Sequence, residues 1–314
     1  MTERSHRSSE TSGRRQPTSD SLTCVPTPPP VSLPIRRLTL RDLSACADLS
    51  EDRGWSREEH KWGFLLSAGK GYGIDDPDGG LVSACVVTEY GPQEQPTLGA
   101  IGMLLVAERH ARQGVGRRLM RHVVSTMGST PLTLHATSHG LPLYEELGFK
   151  VTGRVEMLHG HFVPGSGEPE TEVSTRTATA RDLPALLQLD EGVFGADRTH
   201  IVTRLPAFAD QLRVAEEEGR IVGYAAAWPH MDTHVVGPLI ARDTLVAKAL
   251  IASLAAHTDR SLRTDIDVRH EELLTWAKAR GLASGTFSAV MTYGSTDLPG
   301  DWTRRFAPVT VAAG

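Results

Sequence analysis

Two glycines separated by one residue, Gly114 and Gly116, stand where a backbone could bind an anion. The stretch from Met103 to Met127 has the pattern of a short apolar strand, a polar turn and a helix, because apolar side chains recur at helical spacing after Val115. The first N–H groups of a helix lack intrahelical partners, and the helix dipole makes that end positive. Glycine has no Cβ to hold a ligand away. The pattern therefore indicates a site for a phosphate group.

Three arginines, Arg112, Arg117 and Arg118, add formal positive charge around this turn. The turn is not a P-loop, because no Gly-Lys-Ser/Thr follows, and it lacks the third glycine of the dinucleotide fingerprint. That absence disfavours a nicotinamide-dependent dehydrogenase. A purely structural turn between a strand and a helix stays open as an alternative.

Length and composition restrict the class of protein. With 314 residues the chain is long enough for two domains, each with its own core. A formal charge of -5 gives no support to general nucleic-acid binding. Three cysteines have neither metal-site spacing nor disulfide density, and no apolar run suits a membrane span or a secretion signal. We expect a cytoplasmic protein, monomeric or homodimeric, with no metal and no nucleic-acid or membrane partner.

The order of elements predicts an α/β fold of layered type, with a mixed sheet flanked by helices in each domain. Residues 1–34 are rich in Ser, Thr, Arg and Pro, and are predicted to be a disordered tail. A first domain should span 35–163 and end in a hairpin over 149–162. A linker is expected at 164–174, before a second domain at 175–314.

The second domain repeats the start of the first. Six residues recur with an offset of 140, namely Arg36, Arg41, Asp42, Leu43, Leu49 and Glu51, which return as Arg176, Arg181, Asp182, Leu183, Leu189 and Glu191. A period of this length indicates a duplicated domain rather than a solenoid.

The glycine turn resembles the acyl-CoA loop of the GNAT N-acetyltransferase superfamily, Gln/Arg-x-x-Gly-x-Gly/Ala, on residues 111–116, with Ala111 at the first position. A second landmark is similar too, since Tyr144 precedes Gly148-Phe149 by four residues, as in the superfamily's later motif. The chain looks like a bacterial branch in which a complete domain is followed by a degenerate one.

This resemblance implies an acetyl-CoA-dependent N-acetyltransferase, with acetyl-CoA as acyl-donor substrate and a small-molecule or protein amine as acceptor. Tyr144 would protonate the departing thiolate, because a phenol keeps its proton at neutral pH. A backbone N–H near Leu104 would stabilise the oxyanion. The donor would be held by Leu104, Leu105, Val106, Arg112, Gln113, Gly114, Val115, Gly116 and Arg117.

The general base is less obvious. Many relatives carry a carboxylate midway along the fourth strand, where this chain has Ala100. Glu89, at the end of the neighbouring strand, is predicted to be the base, with His135 and His139 as further candidates. A neutral amine would need no strong base.

The second domain is predicted to have lost its chemistry. Its counterpart of the central glycine is Leu245, and Ala277 occupies the tyrosine position. We therefore expect no acyl-CoA in the usual groove of this domain. The alternative for the whole chain is a non-catalytic acyl-CoA-binding or regulatory protein that retains the fold.

Overall fold

The computed structural model of the chain describes residues 32–165, the first half, and residues 173–314, the second half. Most of the predicted tail at 1–34 and of the predicted linker at 164–174 lies outside the described residues. No helix in these two ranges has the length and apolar content that a bilayer crossing requires.

The first half is a sheet with helices on both faces. Because side chains alternate along a strand, Ala84 and Val86 pack against α1 and α2, whereas Cys85 and Val87 pack against α3. The elements are β1 (Ile35–Leu38), α1 (Leu43–Asp52), α2 (Glu59–Ala68), β2 (Lys70–Asp75), β3 (Leu81–Tyr90), β4 (Leu98–Val106), α3 (Val115–Met127), β5 (Leu132–Ala136), α4 (Leu141–Glu146) and β6 (Lys150–Gly160).

The second half repeats this order and adds short elements. These elements are β7 (Ser174–Thr177), α5 (Leu183–Phe194), α6 (Thr199–Val202), α7 (Leu205–Phe208), β8 (Gln211–Glu217), β9 (Arg220–His230), β10 (Thr233–Ala241), α8 (Thr244–Ala255), β11 (Ser261–Asp267), α9 (Glu271–Ala279), β12 (Ala283–Tyr293) and β13 (Arg305–Ala307).

The recurring residues make the same contacts in both halves. Arg36 donates to Asp42 at 2.8 Å, and Arg176 donates to Asp182 at the same distance. Asp42 also accepts from the backbone N–H of Thr39 at 2.8 Å, which closes a capping box that the second half repeats. The sequence repeat is thus a repeat of local structure.

The two halves share one sheet. Its strand order is β1-β2-β3-β4-β5-β12-β6-β11-β10-β9-β8-β7, so β12 of the second half lies between β5 and β6 of the first. In turn, β6 pairs with β11 of the second half along Val155–Gly160. The predicted hairpin over 149–162 is therefore wrong. The segment is one strand, and each half receives the strand that should close its sheet from the other half.

The segment Pro308–Gly314, which follows β13, runs through the core between the halves. Trp228 donates its indole N–H to the Val309 carbonyl at 3.0 Å, and the Tyr90 hydroxyl donates to the Ala313 carbonyl. A Cβ at Gly102 would collide with the backbone of Ala312. Glycine is therefore required where this segment crosses β4.

Candidate active site

The backbone of the glycine turn has a conformation and a close contact that favour glycine. Gly114 lies immediately before α3 with φ at +78°, a conformation that L side chains rarely adopt. A Cβ on Gly116, the second residue of α3, would lie 3.3 Å from Val106 Cγ2. Both positions therefore favour glycine, and the turn stays open at the start of the helix.

The start of α3 has free hydrogen-bond donors. The backbone N–H groups of residues 112–117 donate to no acceptor within the described part of the chain. The Nη1 atom of Arg118 is buried and has no hydrogen-bond partner within the described residues either. Gln113 turns its side chain back to the Arg109 carbonyl at 3.2 Å, and Arg117 pairs with Glu146 on α4. An anion at this turn would satisfy donors that the protein leaves unused.

A buried carboxylate fastens the loop that precedes the turn. Asp76, between β2 and β3, accepts from Arg109 and from His110, both at 2.6 Å. Burial acts to raise the pKa of Asp76, but hydrogen bonds from the Asp78 N–H, from His110 and from Arg109 outweigh it and lower the pKa to about 2. The carboxylate is therefore ionised at neutral pH and anchors the loop.

A β-bulge interrupts β4 directly after the residues that pair with β5. Val86 faces Gly102 and Ala84 faces Leu105, so β4 contains one residue more than β3 across this interval. Met103, inside the bulge, has φ at +54°. The parallel pairing with β5 ends at Ile101, which leaves the edge of β4 from Gly102 onward unpaired on that side. This gap can accept an extended ligand as an added strand.

Tyr144 projects from α4 into the apolar cluster beneath α3, where Leu104 also packs. Its hydroxyl interacts electrostatically with Cys85, which lies opposite the bulge. The hydroxyl donates to no described residue. Burial, followed by the nearby Cys85 thiol, raises the pKa of Tyr144 well above its usual range, so the phenol is protonated at neutral pH. A proton donor thus lies near the bulge.

The three candidate bases occupy different environments. Glu89 lies opposite Gly99, at the end of β3 remote from the glycine turn, and pairs with Lys70 at 2.6 Å. His139 is exposed in the loop before α4. His135 follows the last residue of β5 that pairs with β4 and lines a cavity between the halves. Burial lowers the pKa of His135 to about 4, although a hydrogen bond to the Val311 backbone opposes the shift.

In the second half, the corresponding helix start is closed by its own side chain. Asp243 caps α8, and its Oδ1 accepts from the Val246 N–H at 3.0 Å. Leu245 is 46% exposed in the first turn, and Ala277 is fully buried in α9. A carboxylate already uses the donor end of this helix and would repel a diphosphate.

The corresponding gap in the second half is also filled. The parallel pairing of β10 with β11 ends at Val236, and β13 then pairs antiparallel with β10 at Leu239 and Ile240. The chain's own strand occupies the edge that is free in β4. No sequence pattern indicates this pairing, because β13 is only three residues long.

Known proteins resemble both halves. A family model described as an acetyltransferase (GNAT) domain matches residues 86–162, and a second with the same description matches residues 186–307. The uncharacterized N-acetyltransferase YitH of Bacillus subtilis (strain 168) is 28% identical over 235 residues, or 74% of this chain and 81% of that protein.

Solved structures share the fold at low sequence identity. An acetyltransferase candidate from Pyrococcus horikoshii is 18% identical with a TM-score of 0.74, covering 90% of this chain and 95% of that one. A tandem GNAT protein from the clavulanic acid biosynthesis pathway, solved without AcCoA, is 13% identical with a TM-score of 0.59, covering 83% and 98%. The chain therefore carries two GNAT acetyltransferase domains in tandem, and these domains support an acyltransferase.

Proposed function

We propose that the first half catalyses transfer of an acetyl group from acetyl-CoA to a primary amine, on a small molecule or a protein. One observation carries the proposal: the free edge of β4 beyond Ile101 leads directly to a helix start whose N–H groups at 112–117 have no acceptor in the described chain. An extended chain that ends in a diphosphate matches both features.

The donor would be held along this path. Its diphosphate would accept from the N–H groups of Gly114, Val115 and Gly116, with Arg112 and Arg118 supplying charge. Its pantetheine would pair with Leu104, Leu105 and Val106, as the resemblance implies. The bulge at Met103 supports this assignment, because its extra residue is left out of the pairing between β4 and β3.

The chemistry then needs few side chains. The amine nitrogen attacks the thioester carbonyl and a C–N bond forms, while a backbone N–H at the bulge stabilises the oxyanion. When the C–S bond breaks, Tyr144 gives its proton to the thiolate and is reprotonated from solvent, which in turn receives the proton lost by the amine. The products are an amide and coenzyme A.

For the proton that the amine loses, we assign His135 in place of Glu89. His135 lies at the level of the β4 bulge, whereas Glu89 is bound to Lys70 at the far end of β3. With a pKa of about 4, His135 is neutral at pH 7 but too weak to deprotonate a free ammonium group. The amine must therefore arrive neutral, and His135 accepts its proton after attack.

Two measurements test the proposal. Calorimetry should give one coenzyme A site per chain, and acetyl-CoA with a panel of amines should release free thiol. Affinity for coenzyme A without thiol release for any amine would favour the alternative, a non-catalytic acyl-CoA-binding or regulatory protein. No affinity for coenzyme A, or two equivalent sites per chain, contradicts the account.

A further inference from the structure

A threonine, a histidine and an aspartate form a hydrogen-bonded chain in the second half. The Thr258 hydroxyl oxygen lies 2.8 Å from Nδ1 of His234, and Nε2 of His234 lies 2.8 Å from Oδ2 of Asp210. Thr258 belongs to the loop between α8 and β11, His234 to β10, and Asp210 directly precedes β8. A hydroxyl, an imidazole and a carboxylate in this order are the arrangement that activates a hydroxyl nucleophile.

The carboxylate fixes the direction of these hydrogen bonds. An ionised carboxylate only accepts, so a neutral His234 ring carries its proton on Nε2 and donates it to Asp210. Nδ1 is then an acceptor, and the Thr258 hydroxyl donates to it. The backbone N–H of Arg260 donates to the same hydroxyl oxygen at 3.1 Å. The hydroxyl proton is therefore directed at a base that is free to remove it.

Burial differs along the chain of three residues. The side chain of His234 is only 8% exposed, which holds the imidazole ring between its two partners. Thr258 is half-buried, so a ligand still reaches its hydroxyl. The Asp210 side chain is 49% exposed, and solvent screens its charge. The hydroxyl and the imidazole are thus the groups on which reactivity depends most.

The residue after Thr258 supplies a free hydrogen-bond donor. The backbone N–H of Asp259 donates to no acceptor among residues 32–165 and 173–314. A backbone N–H next to the nucleophile stabilises the oxyanion that forms when the nucleophile attacks a carbonyl.

An open pocket begins beside this loop. Its volume is about 570 Å³, which lies in the range of small-molecule sites. Five of its six lining residues are polar, which suits a hydrophilic substrate. The lining residues are Asp259, Arg260, Ser261, His161, Asp232 and Met231.

We propose that Thr258, His234 and Asp210 form a second active site, which hydrolyses short acyl esters of hydrophilic alcohols. Thr258 Oγ1 attacks the ester carbonyl and forms a C–O bond, while His234 takes the hydroxyl proton at Nδ1. Asp210 stabilises the imidazolium, and the Asp259 N–H binds the oxyanion. When the ester C–O bond breaks, His234 gives its proton to the departing alcohol. Water that His234 deprotonates then releases the acid and restores the Thr258 hydroxyl. This site uses no residue of the proposed donor path.

Hydrolysis of 4-nitrophenyl acetate by the full chain, together with labelling by a fluorophosphonate probe, tests the proposal. We expect peptide mass spectrometry to find the probe on Thr258 of the wild type. Thr258→Val and His234→Gln should abolish this labelling and lower kcat/KM for the ester at least about 100-fold, as loss of the nucleophile or the base requires. Asp210→Asn should lower kcat/KM by about 10-fold, because an exposed carboxylate stabilises the imidazolium less.

Two matched control variants separate this site from reactive groups elsewhere on the surface. His257→Gln removes an exposed imidazole next to Thr258 that bonds only the Ser253 carbonyl, at 2.9 Å, within the described residues. Thr203→Val removes an exposed hydroxyl that donates to the Thr199 carbonyl at 2.7 Å. Both variants should keep the wild-type rate and the Thr258 label. Circular dichroism checks that each variant is folded, and Thr258→Val, which keeps the side-chain shape, decides the test if His234→Gln unfolds.

The outcomes are distinct. Absence of the label on Thr258, labelling that survives in folded His234→Gln, or unchanged ester hydrolysis in Thr258→Val overturns the second active site. Labelling without ester turnover overturns its assignment as a hydrolase. Each of these results leaves acetyl transfer standing, and failure to bind coenzyme A overturns acetyl transfer alone.

Discussion

Replacing Tyr144 by Phe removes a single oxygen from the position assigned to the general acid. The ring keeps its packing against Phe149 at 6.0 Å, and the lost hydroxyl had no hydrogen-bond partner within the described residues. We therefore expect the free energy of unfolding to change by about 0.5 kcal/mol or less. A general acid contributes a factor of about 100 or more, so kcat should fall at least about 100-fold, equivalent to roughly 2.7 kcal/mol in the barrier.

The pH dependence gives a second, independent signature. Because burial raises the pKa of Tyr144 well above its usual range, the wild-type phenol stays protonated across the neutral region. The loss caused by Tyr144→Phe should then be the same from about pH 6 to about pH 9. A loss that shrank towards high pH would instead mean that the phenol ionises in this range.

The assay is thiol release from acetyl-CoA, combined with calorimetric affinity for coenzyme A. Tyr293→Phe is the matched control, because Tyr293 packs against the same Phe149 ring but belongs to β12. It should leave both kcat and affinity unchanged. Unchanged turnover in Tyr144→Phe, or an equal loss of coenzyme A affinity, would refute the reasoning.

Three further predictions concern the scaffold. Asp76→Asn should weaken coenzyme A binding and lower the free energy of unfolding by about 1–3 kcal/mol, measured by thermal unfolding at a series of pH values. Because the pKa of Asp76 is lowered to about 2 in the folded protein, the wild type should be more stable than the variant above about pH 4 and lose this advantage as the pH falls through 2. In Gly102→Val the new side chain would collide with Ala312, so the free energy of unfolding in a denaturant titration should fall by about 1–3 kcal/mol. Gly63→Ala is the control, because a Cβ there meets nothing within 4 Å, and the same titration should show unchanged or higher stability. Asp243→Ala removes the side-chain cap of α8 and should lower the free energy of unfolding by about 0.5–2 kcal/mol. Calorimetry should still give one coenzyme A site per chain, because β13 pairs with β10 where the donor would have to bind. A second site would contradict this.

Local patterns predicted the local elements. The apolar periodicity of Val115–Met127 and the apolar run of Leu98–Val106 give the bounds of α3 and β4, because neither depends on distant residues. The bulge at Met103 had no such signal, since a bulge is a property of the pairing between two strands.

Partners of strands depend on the whole chain. Alternation over 149–162 indicated extended structure, but nothing local could say that β12 would enter between β5 and β6. Glu89 illustrates the same limit, since its pairing with Lys70 follows from the register of β2 on β3.

The crossing of β6 and β12 makes the two halves structurally dependent on each other. If the second half were deleted, β5 would lose one neighbouring strand and β6 would lose both, so three strand edges would be left unpaired. Each half therefore needs the other to complete its sheet. Gene duplication here created a dependence that simple truncation cannot reverse.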